Sequence, residues 1–474
     1  MSQGQDEPIL RAIGRLAPWA ALSFILPNSY NQLDAYFLGK VSPTASNALG
    51  LFMMVQIATF GVVLVHARGT QSLVGRRVGA GQHAGAGLAI GQGLGLAMRV
   101  VVPFTLLLWA FAPQILAFMG GAPDVVAEAT SFLRTLFLFM PFLFAQPILD
   151  FSFQALGDTA TPFKLQCLAV LVNAGLNWVL VLPHVVHLGS HVVSLPGHGV
   201  VGSAVATGVS RLLVCVLGFR IMVRRYGFPA LLQRSGYRWD GRVVREILRV
   251  GLPAGAYSSV EAPAGSPTLL YALVGVFILQ VVGHFNQDAF GAYGIGFRGV
   301  ESLSFMVLLG IGAATGIVTA HAVGRADFER ARRAGHVGTA VACALMLLTG
   351  GCMALFPRQL AGIYSSDPEI IAIAAGYIRL MALCQIPQAL ETVYGDAMAG
   401  AGSTARTVAI SIPGNALRVP LAWLFAVTFE QGLQGVWLAI LASAVLKGAG
   451  VSALYASGRW EKAMHRGREL LHAA

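Results

Sequence analysis

Long apolar stretches separated by short polar or basic turns are the dominant pattern along this chain. Twelve of these stretches are long enough to cross the hydrocarbon core of a bilayer as helices, each of which needs about 20 residues. The predicted spans are 12–37, 47–67, 88–112, 128–150, 163–183, 199–222, 250–280, 290–320, 337–357, 370–398, 407–428 and 433–456.

The composition agrees with a helical membrane protein. Of the 474 residues, 56% are apolar and only 11% are charged, whereas soluble chains carry about 25% charged residues. The mean hydropathy is +0.68. Because twelve crossings use roughly 240 to 300 residues, only short loops remain and a large soluble domain is excluded. The predicted fold class is an all-α integral membrane protein.

The net charge of +11 is distributed unevenly between the two sets of turns. One set contains Arg76, the arginine-rich segment 223–249 and the basic group 325–333, whereas the other set offers only Lys40 and Arg358. Basic residues accumulate in cytoplasmic turns, so an even number of spans places both termini in the cytoplasm. We expect a multi-pass protein of the cell inner (plasma) membrane that does not bind nucleic acid, because its basic residues do not form one face.

The chain contains an internal repeat. The segment around Gly157 resembles the segment around Gly402, 245 positions later, and two other pairs keep the same offset. These pairs are Val78 with Val323 and Trp178 with Trp423. Because the unit has six spans, both halves enter the membrane from the same side and are related by a pseudo-two-fold axis along the membrane normal. The predicted parts are an N-terminal lobe (1–222), a basic cytoplasmic linker (223–249), a C-terminal lobe (250–456) and a basic cytoplasmic tail (457–474).

Motifs along nearly the whole chain resemble the multidrug and toxic compound extrusion (MATE) transporters. They are LDAYFLGKVSPTASNALGL, LVGRRVGAG and FQALGDTATPFKLQ in the first half, and FGAYGIGFRGVESLSFMVLLGIGAATGIVTAHAVGR, AGAGSTART and GNALRVPLAW in the second. The resemblance implies two six-helix lobes that export organic, often cationic, compounds in exchange for protons or sodium ions. It implies no cofactor beyond the coupling ion, and we expect a monomer whose partners are small organic substrates and membrane lipids. The GxxxxGK[ST] nucleotide-binding loop is missing, so an ion gradient must supply the energy.

An ionisable residue within a span is costly and is therefore a candidate for function. Asp34 lies in NSYNQLD near the outer end of the first span, and the resemblance matches it to the first-span acidic residue that binds the coupling cation in the family. Asn173 and Asn177 share one helix face because they are four residues apart, and they could add oxygen ligands to Asp34. Alternatively, Asp34 only caps the span, and the asparagines only bond neighbouring helices.

Two glutamates are further cation-coupling candidates in the second half. Glu261 follows Pro253 by eight residues, a spacing that resembles a bacterial cation-coupled branch of the family, although the local sequence EAPAGSPT departs from the pattern. Glu391, in QIPQALETVY, resembles an acidic position of some members. As an alternative, Glu391 forms a structural ion pair with Arg379 or Arg418.

Other residues within spans raise more specific expectations. Pro27 is a hinge candidate, because it lies seven residues before Asp34 and could let the first span bend when Asp34 changes charge. Asp150 and Asp396 are weaker candidates for function, because both approach the cytoplasmic turns, and the alternative is that they are only solvated there. Arg418 lies in the middle of the eleventh span and therefore needs a partner such as Glu391 or a group of backbone carbonyls.

Two other functions remain open. A lipid-linked oligosaccharide or lipid flippase of the same superfamily would need a basic cavity, whereas arginines within the spans are sparse. A membrane-embedded metalloenzyme would use the histidines of the outward loop, but that loop offers no acidic ligand and a solvated loop is the preferred interpretation. These histidines are His184, His187, His191 and His198. The prediction is an antiporter without a metal site rather than an enzyme, and the sequence leaves its substrate and the choice between H+ and Na+ open.

Overall fold

The structure is a computed structural model that consists of helical spans arranged in two lobes of six. This confirms the predicted all-α class. Among the residues that the structure describes, the exception is a two-stranded hairpin where an outward loop was expected. The described residues are 7–119, 122–188, 191–261, 274, 277–278, 281–282, 285 and 288–461.

Spans 1 to 6 form the first lobe. Span 4 consists of two helices with a bend of 60° between them. The spans are Ile9–Gly39 (span 1), Pro43–Gly79 (span 2), His83–Phe118 (span 3), Pro123–Phe137 with Met140–Ala155 (span 4), Ala160–Val181 (span 5) and Gly199–Tyr226 (span 6). Strands His184–Leu188 and His191–Leu195 pair antiparallel between spans 5 and 6, with Val186 opposite Val193.

Spans 7 to 12 form the second lobe, after a linker with two short helical turns, Pro229–Leu232 and Arg234–Tyr237. The spans are Gly241–Glu261 at the start of span 7, Asp288–Gly294 with π-helical Ile295–Glu301 and Ser302–Gly324 (span 8), Phe328–Leu355 (span 9), Pro368–Gly400 (span 10), Thr404–Ala416 with Arg418–Trp423 and π-helical Leu424–Thr428 (span 11) and Gly432–Ala456 (span 12). Short helical segments Pro357–Gly362 and Arg459–Glu461 follow spans 9 and 12.

Most of these helices satisfy the requirements of a bilayer crossing. Within the described part of the chain, nine are long and apolar enough, and the bent pair of span 4 makes a tenth. The two spans that are not among these ten are span 2, which has 37 residues, and the described helix of span 7, which ends at Glu261. Span 7 begins at Gly241 rather than at 250, because Asp240 accepts hydrogen bonds from the backbone N–H groups of Arg242 and Val243.

The turns after spans 4 and 10 show the internal repeat at atomic detail. Gly157 and Gly402 both have a φ of +82°, a value that favours glycine. In each turn the next residue donates its backbone N–H to a carbonyl five positions earlier, from Asp158 to Phe153 (3.0 Å) and from Ser403 to Met398 (2.8 Å). These bonds complete the same C-terminal capping motif, so the repeat found in the sequence is a repeat of structure.

The two lobes pack together through equivalent spans. Span 1 packs against span 8, and span 2 packs against spans 7 and 8. Turns 80–82, 156–159, 325–327 and 401–403 lie with segment 227–240 at one end of the bundle, which we call the basic side. Near this side, Arg76 forms an ion pair of 2.9 Å with Glu246 of the other lobe. His321 Nε2 lies 2.6 Å from the carbonyl oxygen of Ala155.

Glycines allow the backbones of spans 2 and 7 to approach closely. A Cβ atom at Gly251 would lie 2.0 Å from the carbonyl oxygen of Val65, and one at Gly69 would lie 2.2 Å from that of Ile247. Small residues at such positions permit close packing of membrane helices. The contact between the lobes therefore depends on the absence of two side chains.

We predict that Gly251→Ala destabilises the protein by about 1–3 kcal/mol, because the added methyl group forces the backbones of the two lobes apart. Thermal unfolding in detergent measures the effect. The matched control is Gly175→Ala, where no atom lies within 4 Å of the added Cβ. There we expect a neutral change or a gain of up to about 1 kcal/mol. Equal effects of the two substitutions would contradict the close-packing account.

Candidate functional site

Asp34 lies in the interior of the first lobe and not at the end of a span. Its side chain is 3% exposed. Oδ1 accepts a hydrogen bond from the Asn177 amide at 2.8 Å, and Oδ2 accepts one from the Thr207 hydroxyl at 3.1 Å. Spans 1, 5 and 6 thus converge on one carboxylate. The alternative in which Asp34 only caps span 1 is wrong.

Asn173 and Asn177 face the same cluster, as their spacing predicted. Both are fully buried. The Asn177 amide also donates to Asn173 Oδ1 at 3.1 Å, and the Asn173 amide donates to the Thr207 hydroxyl at 3.1 Å. Asn177 Oδ1 is buried and has no hydrogen-bond partner among the described residues. This oxygen is therefore available to a ligand.

The cluster can bind a proton or a small cation. Asp34 accepts hydrogen bonds from an amide and a hydroxyl, and in the part of the chain that the structure describes no ion pair includes it. A buried carboxylate with only neutral donors is unstable as an anion unless a positive charge or a proton compensates it. Carboxylate, amide and hydroxyl oxygens are also the ligands that small hard cations prefer.

A cavity of about 280 Å³ adjoins Asp34. Its wall is formed mainly by the first lobe, with Met306, Leu309, Thr392 and Asp396 contributed by the second. Apolar and aromatic side chains make up much of the lining, including Phe24, Phe52, Phe60, Phe137, Phe144 and Phe151. The cavity has the character of a site for an organic molecule, with a few polar groups to orient it.

Asp150 lines the same cavity, so the alternative in which it is only solvated is wrong. Its side chain faces the interior of the lobe, where the residue is 9% exposed. Oδ2 accepts hydrogen bonds from the amides of Gln166 (2.8 Å) and Gln146 (3.5 Å). The Arg211 guanidinium donates to the amide oxygens of both glutamines, at 3.1 and 3.2 Å, and stacks 4.0 Å from the Tyr30 ring centre.

Asp396 is buried as well, which corrects the same alternative for span 10. It is 8% exposed and faces the boundary between the lobes. Arg68 Nη1 of span 2 lies 3.8 Å from Asp396 Oδ1. Asp396 Oδ2 has no hydrogen-bond partner within the described residues. Arg68 and Asp396 also line a smaller cavity between the lobes, so this pair lies between the two cavities.

In the second lobe, Glu391 forms a buried ion pair. Its Oε2 lies 2.7 Å from Lys447 Nζ of span 12, and the two side chains are 1% and 4% exposed. The Ser411 hydroxyl donates to Glu391 Oε1 at 2.6 Å. Arg418 donates from Nε to the Ser443 hydroxyl at 3.1 Å. The sequence predicted Arg379 or Arg418 as the ion-pair partner of Glu391, and Lys447 was not considered.

Some of the predicted residues lie outside the described side chains. Glu261 is the last described residue of its helix, and Pro27 lies within span 1, but their side chains are not among those described. The same holds for His184, His187 and His191, whereas His198 is exposed.

Sequence reasoning missed several polar residues that the structure brings into these networks. They include Thr207, Arg211 and Lys447, together with Glu301, which accepts hydrogen bonds from Tyr377 (2.5 Å) and Gln388 (2.8 Å). Lys447 carries a signal that could have found it, because it is an ionisable residue in the otherwise apolar run ASAVLKGAG. Thr207 carries none, since a hydroxyl in a span is usually satisfied by its own helix.

Comparisons with known proteins agree with the two-lobe repeat. A family model described as MatE matches residues 20–179 and 263–424, one range in each half. The probable multidrug resistance protein NorM of Thermotoga maritima is 25% identical over 443 residues, covering 92% of this chain and 90% of that protein. The protein of the same name from Brucella suis is 27% identical over 442 residues, covering 90% and 88%. The solved outward-facing structure of a multidrug resistance MATE family transporter has a TM-score of 0.81 at 20% identity, covering 98% of this chain and 97% of that one.

We predict that Thr207→Val lowers the free energy of unfolding by about 1–3 kcal/mol, because the Asn173 amide and the Asp34 carboxylate each lose a buried partner. The matched control is Thr59→Val, which alters a cavity-lining hydroxyl that bonds only to the carbonyl of Val55 in its own helix (2.9 Å). Its effect should stay within about 0.5 kcal/mol, since no buried partner is lost. Unfolding in detergent tests both, and a Thr207 effect as small as the control would contradict the network.

Proposed function

This chain belongs to the MatE family and is a membrane transporter rather than an enzyme, and we propose that it is an antiporter that exports organic compounds in exchange for H+ or Na+. The proposal rests first on Asp34, a buried carboxylate with neutral hydrogen-bond donors beside a cavity large enough for an organic molecule. The multidrug resistance names of its relatives support the same substrate class.

Charge balance provides the exchange mechanism. When Asp34 is ionised, a single positive charge in its surroundings compensates it, and this charge is either the coupling ion or a cationic substrate in the adjoining cavity. Binding of one ligand thus removes the electrostatic reason for binding the other. Asn173 and Asn177 contribute by orienting the carboxylate and by supplying amide oxygens to the ion.

The cavity favours organic cations with aromatic or apolar parts. Several phenylalanines line the cavity, as do Asp34 and Asp150. The face of an aromatic ring attracts positive charge, and so does a carboxylate. Arg211 is already engaged with Gln146, Gln166 and the Tyr30 ring. The rival flippase would bind a lipid-linked pyrophosphate. This negatively charged ligand would have to approach the carboxylates of Asp34 and Asp150, which disfavours the flippase.

Transport requires that access to the cavity alternates between the two sides of the membrane. In the arrangement described here the lobes are in contact at the basic side through Arg76 and Glu246 and through glycines 69 and 251. We infer that this side is cytoplasmic, as the basic turns indicate, and that rocking of the lobes breaks these contacts. Pro27 is the proposed hinge of span 1, and a Pro27→Ala variant that transports normally would exclude this role.

The remaining assignments follow from the same proposal. The protein acts as a monomer in the cell inner (plasma) membrane, with both termini in the cytoplasm, small organic cations as substrates and lipids around it. The predicted boundaries 1–222, 223–249, 250–456 and 457–474 are kept for the two lobes, linker and tail, except that span 6 extends to Tyr226 and span 7 begins at Gly241, which shortens the linker to 227–240. Coupling at Glu261 stays a prediction of the sequence.

The decisive transport experiment uses everted vesicles, a fluorescent organic cation, and separate proton and sodium gradients. We expect uptake by the parent protein under one gradient and uptake at the level of protein-free vesicles for Asp34→Asn, because the amide cannot change its charge. The matched control is Asp124→Asn, an exposed carboxylate at the start of span 4, which should transport like the parent.

Two results would contradict parts of the proposal. Gradient-driven uptake that survives in Asp34→Asn would move the coupling to another carboxylate. Absence of uptake by the parent protein under either gradient would favour the flippase.

We further expect Gln56→Trp to weaken binding of a bulky organic cation by about tenfold, or about 1.4 kcal/mol. Gln56 is half-buried and lines the cavity, so the larger side chain takes up substrate space. A fluorescence titration of purified protein measures the effect, and a small organic cation serves as the comparison ligand. Equal losses for both cations would show that the cavity does not select by size.

A further inference from the structure

The internal repeat extends to the polar networks inside the two lobes. Gln146 of span 4 and Glu391 of span 10 lie 245 positions apart, the offset of Gly157 and Gly402. Each is bound by a basic residue of the last span of its lobe. Arg211 donates to Gln146 Oε1 at 3.1 Å, and Lys447 lies 2.7 Å from Glu391 Oε2. Arg211 and Lys447 are therefore structural equivalents.

A second pair of contacts gives the same correspondence. Asn173 and Arg418 are also 245 positions apart. The Asn173 amide donates to the hydroxyl of Thr207, and Arg418 donates to the hydroxyl of Ser443, both at 3.1 Å. Thr207 and Ser443 each lie four residues before the basic residue of their span. The asparagine beside the Asp34 site thus has a permanently charged counterpart in the second lobe.

The two lobes balance their buried charges differently. In the first lobe, Asp34 is held by an amide and a hydroxyl. In the second lobe, a glutamate replaces Gln146 and lies in direct contact with an ammonium group that belongs to the chain itself. Gly414 leaves room for the aliphatic stem of this lysine, since a Cβ atom there would lie 2.3 Å from Lys447 Cγ. The space for the lysine stem is built into span 11.

We propose that Lys447 acts as a tethered cation that occupies the second lobe's place for an exchangeable one and so confines ion exchange to the first lobe. The inference rests on the proposed function, because it assumes that Asp34 exchanges the coupling ion. Lys447 is then a specificity-determining residue. The sequence made Glu391 a candidate for cation coupling. Because Lys447 supplies a permanent counter-charge, Glu391 does not need an exchangeable ion.

Removal of the tethered charge should create a new ion site. If Lys447 becomes an uncharged side chain of similar length, buried Glu391 loses the ammonium group that lies 2.7 Å from its Oε2, and we expect it to take up a proton or a sodium ion from solution in its place. Glu301 on span 8 and Arg418 on span 11 interact electrostatically with Cys384 of span 10, as Lys447 does. Other titratable groups on span 10 and on spans packed against it include His336 and Cys343 on span 9, and Tyr394 and Asp396 on span 10.

The test is carried out by infrared difference spectroscopy on the purified full-length protein, with steps in pH or in Na+ concentration. Other buried carboxyls such as Asp150 and Asp396 should give signals that are common to all variants, and beyond these the parent protein should show an ion-dependent carboxyl signal that disappears in Asp34→Asn. In that background, Lys447→Met should restore an ion-dependent carboxyl signal, and further substitution with Glu391→Gln should remove it again. Lys447→Arg should leave the Asp34→Asn spectrum silent, because the tethered charge is kept.

The neutral pair Lys447→Met with Glu391→Gln provides a second measurement. In the Asp34 background we expect gradient-driven uptake within about threefold of the parent rate, because a buried ion pair can be replaced by neutral groups of similar size. If the folded double variant loses coupling, Glu391 is itself an exchange site and the proposal is overturned. Absence of a new signal in folded Asp34→Asn with Lys447→Met would overturn it as well. By contrast, if no ion-dependent carboxyl signal of the parent protein is lost in Asp34→Asn, the assignment of Asp34 itself is refuted.

Discussion

The structure depends most on a single carboxylate that is buried without a permanent counter-charge. Asp34 accepts hydrogen bonds from Asn177 and Thr207, which fix its orientation but not its charge. Burial of such a group is costly unless a proton or cation accompanies it. In the proposed antiporter, the occupation of this site by a proton or cation changes whenever the charge of the neighbouring cavity changes, and that linkage is what an exchanger requires.

The duplicated architecture supports the proposal that ion exchange is confined to the first lobe. Both lobes use the same frame of six spans, with identical capping of the turns at Gly157 and Gly402. Within the frame, Lys447 and Glu391 satisfy each other in the second lobe, whereas the equivalent Arg211 binds the neutral Gln146. Glycines at the contact of spans 2 and 7 then hold the lobes together at the basic side.

The sequence was sufficient for the spans, the repeat and the cluster of Asp34 with Asn173 and Asn177, because these follow from hydropathy, helical spacing and a resemblance along the chain. It was insufficient for partners brought together by tertiary packing, such as Thr207. Asp150 and Asp396 were judged by their distance from the turns along the helix. Their exposure depends on the direction in which they face, and this direction is set by packing between the spans.

The most direct test of the account is the release of the coupling ion when a substrate binds. A fluorescent organic cation is titrated into purified protein in weakly buffered detergent solution, while protons or Na+ are measured. The account predicts release of about one ion per bound substrate from the parent protein and none from Asp34→Asn, since ion and substrate neutralise the same carboxylate. An equal release from both proteins would contradict it.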